Sequence, residues 1–380
     1  MKNKIRYVIS ILIICIFSLI IVNLFEDKNN DVVKGEITIW ADSSTYDYLN
    51  KTAQGFMELN SKAKIEVVQV YSDKLNESFE SAIESGTLPN IAQLNSKCIR
   101  DIKKKYNNIM AETQESSIID NYVKNYTKGR IAEIKTDGQI LGVPFTSRPL
   151  VLYLREDMLE TYGYNYENIV TWEDFINMGK DIYTRSGGSV KVLNAVGQDY
   201  YDLVSLLIMQ EMESTDNEDE IKSNVDKKIL DLTNNNILNK NIDGQFLARI
   251  SSVNGMRELK AINEKCTWTA NNVPSKSKGS NRFYVGEGDN LVVLNQDEKN
   301  SKLTKKFIEY LSTDTKSKSN YVLNGDFFFS FLSAYKNKSI ESEIKNFAGK
   351  SPIVVMDNIA QKAPIVDDYD LYFKIRNYYN

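Results

Sequence analysis

The chain has 380 residues, of which 42% are hydrophobic and 26% charged, an ordinary balance for a packed globular protein of about two domains. Its formal net charge of −4 offers no basic field for nucleic acid. The absence of histidine excludes Ser-His-Asp and Cys-His catalysis and the histidine-based zinc motifs. Only three cysteines are present, too few for a thiolate zinc site. We therefore expect no cofactor and no metal, and interpret Cys98 and Cys266 as unpaired, buried thiols.

The N-terminus predicts a membrane anchor. Basic residues at positions 2, 4 and 6 precede an uncharged apolar run over residues 7–25. As a helix this run would reach about 29 Å, close to the thickness of a bilayer core. The positive flank favours the cytoplasm for residues 1–6 and places the body on the extracytoplasmic face. Because no small-x-small cleavage site is visible, we favour an uncleaved signal anchor over a cleaved signal peptide, with residues 26–36 as a tether.

The first part of the body alternates predicted strands with predicted helices. Runs of β-branched and apolar residues at 37–40, 65–70 and 91–94 predict strands. Apolar residues at helical spacing predict a helix over 45–60 and a second one that ends at a C-terminal cap at Gly86. Such alternation predicts an α/β fold with a parallel sheet, which binds ligands at the carboxyl ends of its strands.

Polar residues follow two of these predicted strands. Asp42, Ser43 and Ser44 come after the first strand, and Asn95 comes after the third. Trp40 ends the first strand and offers an aromatic face. We interpret all five as candidate ligand-binding residues. The alternatives are a core position for Trp40 and simple helix capping for the polar side chains.

Local signals further along the chain predict individual elements. Asp137-Gly138 predicts a hairpin with a type I′ turn. Thr171 and Asp174 have the spacing of a capping box at the start of a helix. The charged run at 213–228 indicates a solvated loop or helix start, and the apolar run at 291–294 predicts a buried strand.

Several segments occur in an order typical of one family. They are GEITIWADSSTYDYLNKTAQGFMELNSKAKIEVVQVY, SAIESGTLPNIAQLN, DGQILGVPFTSRPLVLYLREDMLETYGY with TWEDFINMGKDI, NIDGQFLARISSVNGM, and VGEGDNLVVL with KKFIEYL. In this order the chain resembles family 1 extracellular solute-binding proteins, the maltose-binding-protein-like receptors of ABC importers. The resemblance runs from about residue 37 to the C-terminus.

The resemblance implies a two-lobed fold like that of type II periplasmic binding proteins, with a ligand cleft between the lobes and the predicted transmembrane helix before it. It assigns residues 37–145 and 273–325 to lobe 1, and residues 146–272 and 326–380 to lobe 2. Proteins of this kind close on a ligand by hinge bending.

The implied function is capture of a small ligand and delivery to ABC transporter permease subunits, by a monomer that is not an enzyme. The expected ligand is a carbohydrate, such as an oligosaccharide or a modified, acidic glycan. One alternative is a membrane-anchored binding protein that acts as a sensor or interaction module without transport. A remote alternative is a glycan-active enzyme that uses paired carboxylates.

The resemblance adds six candidate ligand-binding residues: Arg148, Met256, Tyr284, Gly286, Tyr369 and Tyr372. Arg148 lies at the expected hinge crossing, where its guanidinium would bind an acidic group of the ligand or pair with an acidic side chain. Leu154 and Met256 stand where many sugar receptors of the family carry an aromatic side chain. Two stacking platforms of the family are therefore absent from this chain.

Overall fold

The computed structural model describes residues 32–71, 74–106, 109–110, 123–241, 245–294, 298–313 and 316–379. The predicted anchor at residues 7–25 lies outside this part of the chain. Within the described ranges, no helix combines the length and the apolar character needed to cross a bilayer.

The first of two large sheets contains the first three predicted strands. Its five strands lie in the order β2 (Ala63–Gln69), β1 (Gly35–Ala41), β3 (Ile91–Asn95), β14 (Asp289–Val293) and β6 (Val143–Pro144). The strands β1, β2 and β3 pair in parallel, as the sequence predicts. The strand β14 pairs antiparallel with both neighbours, so the sheet is mixed rather than purely parallel. The strand β14 is antiparallel to its neighbours because the chain enters it on the return from the second sheet.

Helices cover both faces of the first sheet. They are α1 (Tyr46–Leu59), α2 (Leu75–Ser85), α3 (Ser96–Lys105), α4 (Lys128–Glu133), α10 (Glu298–Thr313) and α11 (Lys316–Asn324). On one face, Ile37 and Ile39 of β1 are buried with Leu49 of α1. Phe56 of α1 packs edge-on against Phe307 of α10, with ring centroids 5.6 Å apart. These contacts hold β1 and α1 in fixed register.

The sequence-predicted turns of this region are present. Gly86 ends α2 in the left-handed conformation, at φ 68°. Asp137 and Gly138 have φ angles of 52° and 81° in the turn between β4 (Lys135–Thr136) and β5 (Gln139–Ile140). Positive φ at both positions is what a type I′ turn requires, so these two predictions are confirmed.

The second large sheet also has five strands. They lie in the order β10 (Leu238–Asn239), β9 (Val190–Asn194), β11 (Gln245–Ser251), β8 (Val151–Arg155) and β12 (Trp268–Asn272). Its helices are α5 (Glu156–Thr161), α6 (Trp172–Arg185), α7 (Gln198–Met212), α8 (Glu218–Asn234), α9 (Val253–Ala261), α12 (Pro352–Lys362) and α13 (Tyr369–Asn377). The capping box of Thr171 and Asp174 opens α6 as predicted. The charged run leads into α8.

A three-stranded sheet connects the two lobes, lobe 1 built on the first large sheet and lobe 2 on the second. It consists of β13 (Val285–Gly286), β7 (Thr146–Pro149) and β15 (Phe328–Phe329), in that order. At Gly288 a Cβ atom would lie 2.0 Å from the carbonyl oxygen of Thr146. Only glycine therefore allows the two connections between the lobes to approach so closely.

The predicted lobe boundaries stay a prediction, although strands of the first sheet come from both sides of residues 146–272. Cys98 and Cys266 are buried and are not joined in a disulfide, as expected.

Candidate functional site

A cavity of about 330 Å³ lies where the two lobes and the hinge sheet meet, and we call it the interlobe cleft. Its lining comes from lobe 1, from the hinge and from lobe 2. The lining residues are Asp42, Ser44, Asn95, Thr146, Ser147, Arg148, Gln198, Val253, Asn254, Glu287, Gly288, Asp289, Asp326, Phe327, Phe328 and Arg376. The volume falls at the lower end of the range for small-molecule sites.

Four helices begin at the cleft. The lining residues Ser44, Asn95, Gln198 and Asn254 stand at the N-terminal ends of α1, α3, α7 and α9. The first N–H groups of a helix have no partner inside the helix, and they carry its partial positive charge. At α7 and α9, the N-cap residue makes no side-chain capping bond. The N–H groups of Asp199 and Gly255 donate to backbone carbonyl oxygens, and the N–H group at the very end of each helix can donate to water or to ligand oxygens.

The hinge strand β7 contributes two buried polar groups to the cleft. The Arg148 guanidinium binds Asp202, with Nη2 2.7 Å from Oδ2. Asp202 also accepts a bond from Gln198 at 3.1 Å. The Nε of Arg148 and the Oγ of Ser147 are buried and have no hydrogen-bond partner among the described residues. Since buried polar groups are nearly always satisfied, these two atoms call for a partner in the cleft.

Two side chains from the strand ends of lobe 1 are held by local hydrogen bonds. The Asp42 carboxylate accepts from the backbone N–H and the hydroxyl of Ser44, at 2.9 and 2.7 Å. Asn95 caps α3 by accepting from the N–H of Cys98 at 2.8 Å. Asn95 is therefore a helix-capping residue, and its side chain also lines the cleft.

Buried carboxylates form the hinge side of the cleft. Glu287 binds Arg376, with an N–O distance of 2.6 Å. Burial raises the pKa of Glu287 to about 7, and Arg376 only partly offsets that effect. Burial also raises the pKa of Asp289, which accepts a bond from Gln93 at 2.8 Å. Together with Asp42 and Asp326, the lining has four carboxyl groups and two arginines, so it is rich in acceptors for hydroxyl and amino groups.

Aromatic side chains line one part of the cleft. Phe327 and Phe328 contribute to its wall, although little of either ring is exposed. Trp40 lies in an adjoining space of about 30 Å³, where its ring meets Phe79 edge-on at 6.4 Å. Its ring is only partly buried, so Trp40 stands beside the cleft and not in the deep core.

A second cavity of about 330 Å³, which we call the rear cavity, contains two of the predicted residues. It is lined by Thr127, Gly129, Arg130, Glu133, Met209, Met212, Glu213, Phe283, Tyr284, Val285, Ala363, Pro364, Ile365, Val366, Asp367 and Tyr369. Tyr284 donates to Glu213 at 2.7 Å, and Tyr369 donates to the carbonyl oxygen of Gly129 at 3.1 Å. The structure therefore corrects the expectation that Tyr284 and Tyr369 lie at the cleft.

Four other predicted residues lie away from the cleft lining. Met256 has no exposed surface and packs in the core. Tyr372 is buried in the core of lobe 2, where burial raises its pKa. Gly286 pairs with Arg148 across the hinge sheet. Ser43 is exposed in the turn after β1. Of the eleven predicted residues, the structure brings Asp42, Ser44, Asn95 and Arg148 together in the cleft.

Several cleft residues were missed by the sequence prediction. Ser147 stands next to Arg148, so the hinge signal applied to it as well. Gln198 follows β9 and Asn254 follows β11, both strands of lobe 2. Ligands bind at the carboxyl ends of such strands, so the argument that identified residues of lobe 1 applies to these two as well. No local signal in the sequence marks Asp326 or Phe327, because they reach the cleft only through the pairing of β15 with β7.

Two α/β lobes, a connecting hinge sheet and a polar cleft between them define a protein of the periplasmic-binding-protein-like class. The family model for the bacterial extracellular solute-binding protein matches residues 51–347. The chain belongs to this family, as its sequence resemblance indicated. The family is extracellular, which agrees with an extracytoplasmic body.

Two curated relatives are sugar-binding proteins. The chain is 24% identical over 168 residues to a lactose-binding protein of Rhizobium radiobacter, an alignment that covers 42% of this chain and 39% of the relative. It is 26% identical over 83 residues to an arabinooligosaccharide-binding protein of Halalkalibacterium halodurans, covering 22% of this chain and 18% of the relative. The chain thus matches less than half of the length of each relative.

Solved structures share the fold over almost the whole chain. The sugar-binding protein MalE from Xanthomonas citri has a TM-score of 0.69 at 14% identity, covering 90% of this chain and 97% of that one. An ABC transporter associated binding protein from B. animalis subsp. lactis, in complex with β-1,6-galactobiose, has a TM-score of 0.64 at 16% identity, covering 90% of each chain. At these identities the likeness establishes the fold alone.

Proposed function

We propose that the protein captures a neutral carbohydrate in the interlobe cleft by hinge closure and delivers it to the permease of an ABC transporter. The observation that carries this proposal is a pair of buried polar atoms without a described partner, Ser147 Oγ and Arg148 Nε, on residues that line a cavity of ligand size. The hydroxyls of a sugar can accept from the donors of this lining and donate to its carboxylates. The sugar-binding relatives support the same ligand class.

The charges of the cleft favour a neutral ligand over the acidic glycan that the sequence left open. Arg148 is already paired with Asp202, and Arg376 with Glu287. Asp289 and Asp326 add two more carboxyl groups to the lining. A ligand carboxylate would therefore meet more negative than positive charge, which disfavours its binding.

Thermal unfolding against a glycan panel tests the ligand class. The full chain, in a polyoxyethylene-ether detergent that carries no sugar head group, is heated with lactose, maltose, arabinooligosaccharides, β-1,6-galactobiose and oligouronic acids. Ligand at 100 times its dissociation constant adds about 2.7 kcal/mol to the free energy of unfolding. We expect a shift in melting temperature with one neutral series and none with the uronic acids. A shift with the uronic acids alone would contradict a neutral ligand.

A variant pair locates the bound sugar. Ser147→Ala removes an unpartnered hydroxyl of the cleft, and Glu341→Gln removes an exposed charge outside both cavities. We expect Ser147→Ala to weaken sugar binding about ten-fold, since it removes one hydrogen bond of about 1.4 kcal/mol. Glu341→Gln should leave the affinity unchanged. Equal affinity of both variants would place the sugar elsewhere.

Delivery and anchoring are parts of the proposal with tests of their own. Sugar uptake by cells that lack the gene, compared with cells that carry it, tests delivery to a permease. Uptake that does not depend on the gene would favour the sensor function instead. The mass of the N-terminal peptide from the membrane fraction tests the anchor, because an uncleaved anchor retains residues 7–25.

A further inference from the structure

The rear cavity lies at the far end of two helices that also reach the interlobe cleft. In α7, Gln198 lines the cleft, whereas Met209 and Met212 line the rear cavity. At 1.5 Å per residue these ends are about 20 Å apart. In α13 the arrangement is reversed, with Tyr369 at the rear cavity and Arg376 at the cleft. The two cavities are therefore separate sites with the hinge between them.

The buried charged side chains of the rear cavity already have hydrogen-bond partners. Arg130 is buried and bonds Glu133, and its Nη2 donates to Asn290 at 2.8 Å. Glu133 also accepts a bond from Ser96 at 2.6 Å. The other walls combine thioether, aliphatic and aromatic side chains, including Met209, with Thr127 and two carboxylates. An apolar ligand body can therefore lie against the apolar part of the lining without burying an unsatisfied polar group.

The rim of the cavity carries negative charge. Glu213 and Asp367 are exposed, and neither forms an ion pair with a described residue. The Glu213 carboxylate accepts from Tyr284 at 2.7 Å and from the amide of Asn281 at 3.0 Å, both on the same oxygen. With Arg130 and Glu133 neutralising each other, the lining has a net charge of about −2 from these two carboxylates. A cationic group at the rim is therefore complementary to the cavity.

The aromatic rings and methionines form an apolar wall. The ammonium of Lys362 lies 5.2 Å from the centre of the Phe283 ring, and the guanidinium of Arg100 lies 5.8 Å from that of Tyr369, so both rings already contact a cation of the protein. Met209 and Met212 are polarisable and can adapt to the shape of an apolar ligand body.

We propose that the rear cavity is a second binding site, separate from the interlobe cleft, which takes a small organic cation with an apolar body. The body lies among the methionines and aromatic rings, and the cationic head lies at the rim between Glu213 and Asp367. The site does not depend on the identity of the cleft ligand.

Three probes with one body and different heads test the proposal. 4-Phenylbutylamine, 4-phenylbutan-1-ol and 4-phenylbutanoate are titrated calorimetrically into the full chain in polyoxyethylene-ether detergent, with detergent alone as the blank. We expect the amine to bind about five-fold more tightly than the alcohol, as two exposed carboxylates allow. The carboxylate should bind most weakly. Absence of binding by the amine, or equal binding of amine and alcohol, would overturn the proposal.

Variants then place the amine. Ile365 is 45% exposed, so Ile365→Lys adds a cation at the cavity without disturbing the core, and we expect it to weaken amine binding at least about five-fold. The double variant Glu213→Gln with Asp367→Asn keeps an acceptor for Tyr284 and should bring the affinities of amine and alcohol within about two-fold. Asp326→Asn in the cleft should change neither affinity. Amine binding that responds to Asp326→Asn and not to Ile365→Lys would assign the probe to the cleft and refute the rear site.

Discussion

The interlobe cleft and the rear cavity have the same volume, about 330 Å³, and opposite chemistry. In the cleft, polar atoms such as Ser147 Oγ are buried without a partner, and helix N-termini converge. In the rear cavity, the buried pair Arg130 and Glu133 is bonded, and the remaining walls combine apolar side chains with the exposed carboxylates of Glu213 and Asp367. Volume alone therefore does not identify a ligand. Unsatisfied polar groups predict a polar ligand in one case, and satisfied ones predict an apolar body in the other.

The difference also separates two kinds of site residue. Several cleft side chains are held by one helix cap or one ion pair, such as Asn95 on α3 and Arg148 with Asp202. Arg130, by contrast, ties the rear cavity to the hinge through several bonds. Substitutions in the cleft should accordingly change ligand affinity, whereas substitution of Arg130 should lower the free energy of unfolding.

The largest effect is expected at Arg130, which lies between the two cavities. Its guanidinium bonds Glu133, the side chain of Asn290 and the hydroxyl of Ser330. Arg130→Met leaves the Glu133 carboxylate buried without its cation, which should lower the free energy of unfolding by about 3–5 kcal/mol. Denaturant unfolding measures this, with Arg185→Ala as the control. Arg185 is half exposed in its ion pair with Asp181, and its loss should cost at most about 1 kcal/mol. Similar losses in both variants would contradict a structural role for Arg130.

The hinge offers the next largest effect. A Cβ at Gly288 would overlap the Thr146 carbonyl oxygen at 2.0 Å, whereas at Gly286 the nearest atoms lie at 3.6 Å. Gly288→Ala should therefore lower the free energy of unfolding by up to about 3 kcal/mol, and Gly286→Ala by well under about 1 kcal/mol. Unfolding of the two variants side by side measures the difference. If both alanines are tolerated equally, the connections between the lobes do not pack as described.

Stability should depend on pH through Glu287. Burial raises its pKa in the folded protein from 4.5 to about 7. The folded state thus holds more protons between these values, so the stabilisation is complete below about pH 4.5 and is lost as the pH rises through 7. Glu287→Gln should remove a decrease on the order of 2 kcal/mol between pH 5 and 8.

The comparison for this pH effect is the wild-type chain measured over the same range. Asp199, whose pKa burial raises to about 6, titrates in both proteins and cancels in the difference. Parallel stability curves for wild type and Glu287→Gln would show that Glu287 does not carry the effect.

The smallest effect separates capping from ligand binding at Asn95. Asn95→Ala removes the acceptor for the Cys98 N–H and should cost about 1 kcal/mol of stability, whereas Asn95→Ser keeps a cap and should cost only a few tenths. If Asn95 also touches the ligand, both variants lose sugar affinity while only the alanine variant loses stability. Sugar affinity that follows stability in both variants would reduce Asn95 to a capping residue.

The features that the sequence predicted best are those that depend on residues close together in the chain. Strand ends identified Asp42, Ser44 and Asn95 because parallel strands of one sheet bring their carboxyl ends together. The turn at Asp137-Gly138 and the capping box at Thr171 were predictable for the same reason. Each depends on a few consecutive residues.

The site residues that the sequence misplaced or missed depend on how distant segments pack. The resemblance aligns Met256 with an aromatic position of the family, and it cannot show whether the side chain at this position meets the core or the cleft. Tyr284 and Tyr369 were assigned to the cleft, but Tyr284, just before β13, and Tyr369, at the start of α13, both line the rear cavity. Asp326 and Phe327 reach the cleft only after β15 pairs with β7. None of these relations is encoded in a local pattern.

The central claim is that a neutral sugar binds at Ser147 and Arg148 in the interlobe cleft. The most direct test is a calorimetric titration of the sugar selected by the panel into wild type, Ser147→Ala and Ile365→Lys. Our account predicts about ten-fold weaker binding for Ser147→Ala and unchanged binding for Ile365→Lys. Weaker binding by Ile365→Lys with no change in Ser147→Ala would place the sugar in the rear cavity and contradict the account.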